Sequence, residues 1–292
     1  MSLSTTNVHR PGGLNWVTTL NLAHNSNKVL SLGTALDSAG NTVSLKQILF
    51  TARTGNFLGG ETHILRVGQP LSSIYGYQVL GLWQAGDVCY LKNPSVNCIP
   101  GEYKIADISG PNGQPDSVIT GADRTVLGHG DPKLYGGIDN TIAYGRFSLD
   151  AFVNFTIGNK IINGGNAYGS LAIMQANERR TVLDRWTPTD TNTTIPRANQ
   201  GRARLLYSTL VESGSYLRLQ TLTLGYQLPA SILPRATAAR LFLTGQNLFT
   251  ITGYSGFDPD VNSMGSDPKF GGIDIGAYPR ARIWNLGVSA TF

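Results

Sequence analysis

Hydrophobic and polar residues alternate along several long segments of the chain. In the segment 147–157 every odd position is apolar, and the even positions are polar except for Phe152. A strict period of two is typical of a β-strand with one apolar and one polar face. A soluble sheet with one solvated face gives the same alternation, so the period alone leaves both a soluble and a membrane protein open.

The length of this strand favours a membrane protein. Strands of soluble proteins usually contain about five or six residues, whereas 147–157 contains 11. Such a strand is roughly 36 Å long, and a tilt near 45° reduces its height to roughly 26 Å. That height matches the ~25 Å apolar band of an outer-membrane β-barrel. No segment approaches the 18 or more apolar residues of a transmembrane helix.

Read along the whole chain, the pattern predicts an all-β protein with nine antiparallel strands, at approximately 14–24, 27–34, 61–68, 73–83, 133–144, 146–160, 207–228, 239–251 and 282–292. Short turns join the strands in pairs. The remaining connections are long, at about 35–60, 84–132, 161–206 and 252–281. Long loops at one end of the strands and short turns at the other are typical of bacterial outer-membrane barrels, and such loops are uncommon in compact soluble domains.

Aromatic residues concentrate near the predicted strand ends. With the short turns on the periplasmic side, the expected inner set is Tyr75, Tyr144, Phe147, Tyr226 and Phe292, and the expected outer set is Trp16, Trp83 and Trp284. Two such sets would form the aromatic girdles of a membrane barrel. The general preference of aromatic residues for strands explains their presence but not this clustering.

One strand changes its parity. In SYLRLQTLTLGYQLP the apolar positions are odd at Leu217 and Leu219 and even from Leu222 onward. A one-residue shift would turn every later side chain to the other face. We therefore predict a β-bulge near Gln220 and Thr221.

Composition limits the function classes. Charged residues make up 14% of the chain, and the net charge is only +5, without a block of basic residues. This argues against a nucleic-acid partner. The N-terminal segment MSLSTTNVHRPGG lacks the apolar core of a signal peptide.

Several segments carry a resemblance to a known family. GSYLRLQTLTLGYQLP, LTGQNLFTITGYSGFDPDV and YPRARIWNLGVSATF resemble the C-terminal part of the SusC/RagA family of TonB-dependent outer-membrane transporters. GQPLSSIYGYQVLGLWQAGD and RWTPTDTNTTIPRA continue the resemblance upstream, in the family's order. The resemblance implies a 22-stranded transmembrane barrel with an internal plug, in the outer membrane of a Gram-negative bacterium. It also implies a SusD-like surface lipoprotein that captures glycans or peptides, and energy supplied by a TonB complex.

The chain is expected to be only part of such a protein. Neither a plug nor a TonB box is recognisable, so residues 1–292 are expected to be a single partial domain, the C-terminal segment of the barrel, with the TonB complex contacting a missing N-terminal part. An open sheet has unpaired edges that hydrocarbon does not tolerate, so the segment alone is expected to be inactive. The resemblance further implies contact with outer-membrane lipid and recognition of the terminal Phe292 by the barrel-assembly machinery.

Residues that could carry chemistry are few. The four histidines, His9, His24, His63 and His129, are scattered without the spacing of metal ligands, and the chain contains neither GxSxG nor HExxH. We therefore expect no enzyme activity, no metal site and no cofactor.

Two features of the long loops suggest binding or stabilisation. Cys89 and Cys98 lie in one loop with eight residues between them, and maturation through an oxidising compartment would favour a disulfide over two free thiols. Tyr90, Tyr168 and Trp186 also lie in loops, where an aromatic ring could stack on a sugar. We treat these three residues as candidate substrate contacts.

Two other functions remain open at this stage. The first is a receptor for siderophores or cobalamin that works by the same TonB-dependent mechanism. The second is a soluble all-β binding or adhesion module. Persistence of the chain in the aqueous phase as a folded monomer, without detergent, would favour the second.

Overall fold

Seven long antiparallel strands form one continuous sheet. The computed structural model describes residues 1–52, 58–110, 112–173, 177–232 and 237–292. The strands follow one another in chain order across the sheet. They are β1 (Ser2–His9), β2 (Leu14–Ala23), β3 (Leu134–Tyr144), β4 (Phe147–Ile157), β5 (Tyr216–Gln227), β6 (Ala238–Thr252) and β7 (Ile283–Thr291).

The connections between these strands alternate in length. The turns β1–β2, β3–β4 and β5–β6 are short and lie at what we call the turn end of the sheet. The segments 24–133, 158–215 and 253–282 leave from the opposite end, the loop end. The tightest turn is Gly145–Arg146, where Tyr144 pairs directly with Phe147 and Gly145 has a φ of 58°. Two-residue hairpins require such positive φ angles, which glycine adopts without strain.

The sheet has one apolar and one polar face. On the apolar face a row of side chains crosses five strands from Ile142 and Leu149 through Leu224 and Leu243 to Leu286. This face is not packed into a shared dry interior, because Phe147 is 64% exposed and Leu286 is 74% exposed. A soluble β-sandwich would bury such a face, so its exposure favours contact with lipid.

The predicted bulge is present in β5. Gln220 falls between Leu219 and Thr221 at a register shift in the β5–β6 ladder, and the β4–β5 ladder shifts at the same place. The bulge lets Leu217 and Leu224 lie on the same apolar face despite their opposite parity.

The three long segments fold together into a single body, which we call the loop cap. Its short strands are Thr34–Leu36, Thr42–Ser44, Gln47–Phe50, His63–Arg66, Ser73–Tyr77, Val79–Leu82, Tyr103–Ile105, Arg124–His129, Lys160–Asn163, Val211–Ser213 and Ile273–Asp274. Its helical turns are Pro94–Asn97, Gly121–Asp123, Gly164–Gly169, Arg180–Asp184, Ser208–Leu210 and Pro268–Phe270; one further turn, Ala230–Ile232, follows β5. One core joins the segments, with Ile74, Ile162 and Ile273 all fully buried. None of the helices in the described ranges has the length and hydrophobicity needed to cross a bilayer.

The prediction of nine barrel strands was wrong in its count. The segments 61–68 and 73–83 form short strands of the loop cap, and 27–34 contributes only the first residue of Thr34–Leu36. Their apolar residues were misread because they are buried in the cap, as Ile64 and Ile74 are. The strand Ser2–His9 was missed because five of its eight residues are Ser, Thr or Asn, and because a register shift between Thr6 and Val8 breaks the alternation of its few apolar residues.

The predicted aromatic sets are partly correct. Tyr144, Phe147, Tyr226 and Phe292 lie at the turn end, and Trp284 lies at the start of β7, at the loop end. Tyr75 and Trp83 are instead buried in the loop cap. Trp16 pairs with Ile142 near the turn end, whereas the sequence reading placed it at the opposite interface.

The close approach of β2 and β3 depends on Gly136. A Cβ atom at this position would lie 2.1 Å from the backbone oxygen of Asn21. We expect Gly136→Ala to force the two strands apart and to destabilise the sheet by about 1–3 kcal/mol, the usual range for overpacking. Thermal unfolding of the purified, detergent-solubilised protein would measure this change. Gly86→Ala is the matched control because a Cβ atom at Gly86 meets nothing within 4 Å, and equal melting of the two variants would contradict the prediction.

Candidate functional site

The polar face and the loop cap carry the chain's polar chemistry. On the polar face, Arg240 donates a hydrogen bond from Nη2 to Ser148 Oγ at 2.8 Å and lies 3.7 Å from Asp150. Its side chain crosses Gly225, where a Cβ atom would lie 2.4 Å from Nη2. Both charged side chains are 41% exposed, so this pair is a solvated feature of the polar face and contributes little to stability.

Four charged residues fix the segment 253–282 to the sheet. Arg218 on β5 donates to Asp258, and Arg280 contacts Asp260 at 2.6 Å. The two remaining pairs, Arg218–Asp260 and Arg280–Asp258, are each 3.9 Å apart. The four side chains therefore alternate in charge around a closed ring, which we call the charge ring.

Arg218 is the most buried member of the charge ring. Its side chain is 2% exposed, it lies over the Tyr216 ring, and Nε donates to Thr250 Oγ1 at 3.0 Å. Because a buried guanidinium cannot lose its proton, it needs its carboxylate partners. A cavity of about 250 Å³ lies beside the ring, bounded also by Arg282 and Phe257.

A second charged group joins two segments of the loop cap. Glu102 accepts hydrogen bonds from Arg202 at 2.9 and 3.0 Å and from Asn199 Nδ2 at 2.9 Å. Arg202 also donates to the backbone oxygens of Leu171 and Arg197. With its side chain 3% exposed, Arg202 ties residues 84–132 to residues 158–215.

A small cavity opens in the cap between the segments 59–77, 121–124 and 205–206. It has a volume of about 190 Å³ and is lined by Gly59, Gly60, Glu61, Gly76, Tyr77, Gly121, Arg124, Leu205 and Leu206. Arg124 donates from Nη1 to Glu61 at 2.8 Å, and its guanidinium lies 5.2 Å from the Tyr75 ring centre. Glycines leave the backbone of this cap pocket accessible, so the pocket can offer both charge and backbone hydrogen bonds to a polar group.

His63 is buried where the cap segments meet. Nε2 donates to the carbonyl oxygen of Gly271 at 3.3 Å, and Nδ1 lies 3.0 Å from Thr62 Oγ1, which already accepts from the Ala52 amide. Burial lowers the pKa of His63 to about 4, and the hydrogen bond to Gly271 opposes this shift only in part. The imidazole is therefore neutral at pH 7.

The low pKa of His63 makes the stability of the cap depend on pH. The folded state binds its proton only near pH 4, whereas the unfolded chain binds it near 6.5. Stability is thus complete above 6.5 and falls by up to roughly 3 kcal/mol as the pH drops to 4. Thermal denaturation of wild type and His63→Gln between pH 7 and 4 should show a weaker acid dependence in the variant. His24→Gln, at an exposed histidine, should retain the wild-type slope, and a His63→Gln slope equal to wild type would contradict the assignment.

The predicted cysteine pair is joined in the structure. Cys89 and Cys98 form a disulfide with a Cα–Cα distance of 5.8 Å. Beside it, the Tyr90 and Trp83 rings lie 5.2 Å apart, and Lys104 Nζ lies 4.5 Å from the centre of the Trp83 ring. The disulfide closes a small loop around residues 90–97 next to this aromatic pair.

The three aromatic candidates for substrate contact differ in exposure. Trp186 is only 8% exposed, packs against Gly101 and donates to Gln84 Oε1 at 3.1 Å, so its ring offers little surface to a sugar. Tyr90 is half-buried, and its hydroxyl donates to the Ile105 carbonyl. Tyr168, on Gly164–Gly169, is the most exposed of the three at 43%. Phe292 is 88% exposed. Among the residues that the structure describes, no group of three or more His, Cys, Asp or Glu could hold a metal ion.

Sequence reasoning missed the charge ring and the Glu102–Arg202 pair. An arginine inside the apolar segment YLRL was an available signal, because an arginine buried in a strand needs a carboxylate partner. The partners Asp258 and Asp260 are about 40 residues away, in the long connection that the sequence predicts at 252–281.

Comparison with known proteins identifies the architecture. No model of a protein family matches the sequence. TonB-dependent receptor P3 of Formosa agariphila is 32% identical over 284 residues, which is 95% of this chain and 27% of the relative. TonB-dependent receptor P26 of the same organism is 31% identical over 301 residues, and TonB-dependent receptor SusC of Bacteroides thetaiotaomicron is 34% identical over 95 residues, 32% of this chain and 9% of the relative. The chain belongs to the SusC/RagA family of TonB-dependent receptors.

Solved structures of this family show the same fold. The RagAB peptide transporter has a TM-score of 0.70 at 22% identity, and the RagAB peptide importer in its open-open state has a TM-score of 0.72 at 22% identity. Each match covers 100% of this chain and 28% of the solved chain. The seven-stranded sheet is therefore part of a SusC/RagA-type barrel. The chain spans only 27–28% of the length of the first two curated relatives.

Proposed function

We propose that this chain forms part of the barrel wall and the external loops of an outer-membrane nutrient importer. The supporting observation is the two-faced sheet, with exposed apolar residues on one face and every long connection at one end. In this arrangement the apolar face contacts lipid, the polar face lines the channel, and the loop cap faces the outside of the cell. The importer acts as a binding and transport protein, without enzymatic chemistry and without a resident cofactor or metal.

The expected partners follow from the family. A SusD-like surface lipoprotein would contact the loop cap, and a TonB complex would energise the importer through parts of the protein beyond the matched segment. We propose Phe292 as the aromatic residue read by the barrel-assembly machinery. Nucleic acid is not a proposed partner.

Peptides or glycans are the proposed substrates. RagAB, the solved relative, is described as a peptide transporter, and its low sequence identity supports the shared fold rather than a shared substrate. Within the cap we place substrate contact at the cap pocket, with Glu61 and Arg124, and at the exposed ring of Tyr168. Tyr90, which packs against Trp83, and Trp186, which packs against Gly101, would act mainly by supporting the fold of the cap.

Cell fractionation and growth test this function. The protein should be found in the outer-membrane fraction, and its deletion should slow growth on a peptide or glycan mixture as the sole nutrient. A growth defect only under iron or cobalamin limitation would instead identify a siderophore- or cobalamin-type receptor. A folded monomer in the aqueous phase without detergent would refute the membrane role and favour a soluble binding module.

A further inference from the structure

A groove runs along the apolar face at the turn end of the sheet. It has a volume of about 360 Å³ and is lined by Ile142, Tyr144, Phe147, Ser148, Leu149, Leu224, Gly225, Tyr226, Leu241, Phe242, Leu243 and Leu286. We call it the turn-end groove. It crosses β3 to β7 and ends on β7, which is an edge strand of the described sheet.

The groove combines an apolar floor with aromatic residues at its turn end. Leucines of four neighbouring strands form the floor, in the row Leu149, Leu224, Leu243 and Leu286. Tyr144 and Phe147 stand beside it, 65% and 64% exposed, and the rings of Phe147 and Tyr226 lie 4.9 Å apart. The shape suits a flexible hydrocarbon chain, which gains from each apolar contact that it makes.

A cationic residue lies in the turn that joins two strands of the groove. Arg146 is exposed in the two-residue turn between Tyr144 and Phe147, both of which line the groove. Aromatic rings at a membrane interface mark the level of the lipid headgroups. A lipid with an acyl chain in the groove would therefore place its phosphate near this guanidinium, which binds phosphate well.

We propose that the turn-end groove is a specific site for one glycerophospholipid of the periplasmic leaflet. One acyl chain lies along the leucine floor, and the phosphate binds Arg146. This inference rests on the proposed membrane placement of the sheet and adds a defined lipid site to it.

Native mass spectrometry of the purified protein in detergent, titrated with phosphatidylglycerol, tests the proposal. We expect binding that saturates at one tightly held lipid. Leu224→Trp should fill the groove and weaken lipid binding by roughly tenfold or more. A tenfold loss of affinity corresponds to part of the free energy gained when one leucine side chain is buried against the lipid. Leu217→Trp is the matched control, because Leu217 lies on the same face of the same strand but does not line the groove.

The phosphate contact has its own control. Arg146→Gln should weaken lipid binding several-fold, whereas Arg10→Gln, at an exposed arginine in another short turn, should not. The specific site would be overturned if the two tryptophan variants bound lipid equally, or if lipid binding to the protein never saturated. In that case recovery of the protein in the outer membrane would leave the importer function intact, whereas a soluble, detergent-independent protein would refute both.

Discussion

Replacement of Asp258 by alanine is expected to release the segment 253–282 from the sheet and to lower the free energy of unfolding by about 3–5 kcal/mol. Asp258 is the hydrogen-bonded carboxylate partner of Arg218, whose side chain is 2% exposed. Without Asp258, the Arg218 guanidinium would retain its hydrogen bond to Thr250 Oγ1 and would have the Asp260 carboxylate 3.9 Å away. A buried charge without a hydrogen-bonded carboxylate lowers the free energy of unfolding far more than the loss of a surface ion pair does.

Thermal unfolding in detergent and limited proteolysis of residues 253–282 would measure this effect. Asp150→Ala makes the same substitution at the exposed Arg240 pair and should cost less than about 1 kcal/mol. The double variant Arg218→Met with Asp258→Asn removes the buried charge. The side chain introduced at position 258 keeps an oxygen for the backbone amide of Asp260, which in the wild type donates to Asp258 Oδ1 at 2.9 Å. The double variant should recover most of the stability, and a cost for Asp258→Ala equal to that for Asp150→Ala would refute the role of the charge ring.

The periodicity of the sequence predicted the long strands well because lipid contact and strand geometry impose the same constraint. Strands β4 and β5 present an apolar or aromatic residue at every second position, and even the shift at Gln220 is visible as a change of parity. The same reasoning wrongly assigned the segments around Ile64 and Ile74 to the barrel wall. Both residues are fully buried in the loop cap, and a short buried strand has the same apolar composition as part of a barrel strand.

The candidate site was less predictable because it depends on contacts between distant segments. Trp186 and Tyr168 are both loop aromatics in the sequence, yet one is packed on Gly101 and the other is 43% exposed. Residue type cannot separate these cases, because burial in the cap is decided by which segments meet. The disulfide was easier to predict, since the two cysteines are close in sequence.

The stability of the loop cap itself should depend most on Glu102. Glu102→Ala removes the carboxylate that accepts from Arg202 and Asn199, and it leaves Arg202 buried with only backbone oxygens as partners. We expect a loss of about 3 kcal/mol or more, in the range for a broken buried pair. The loss should be local, because Glu102 and Arg202 both lie outside the seven-stranded sheet.

Hydrogen exchange resolves this local effect. Amide protons of Tyr103–Ile105 and of residues 199–207 should exchange faster in Glu102→Ala, while those of β3 and β4 should keep their protection. Glu61→Ala, at a pair whose glutamate side chain is 40% exposed, is the matched control and should change exchange much less. If Glu102→Ala accelerated exchange throughout the sheet, the pair would support the barrel wall rather than the cap. If it changed nothing beyond the Glu61→Ala control, the two cap segments would be held together by their apolar core alone.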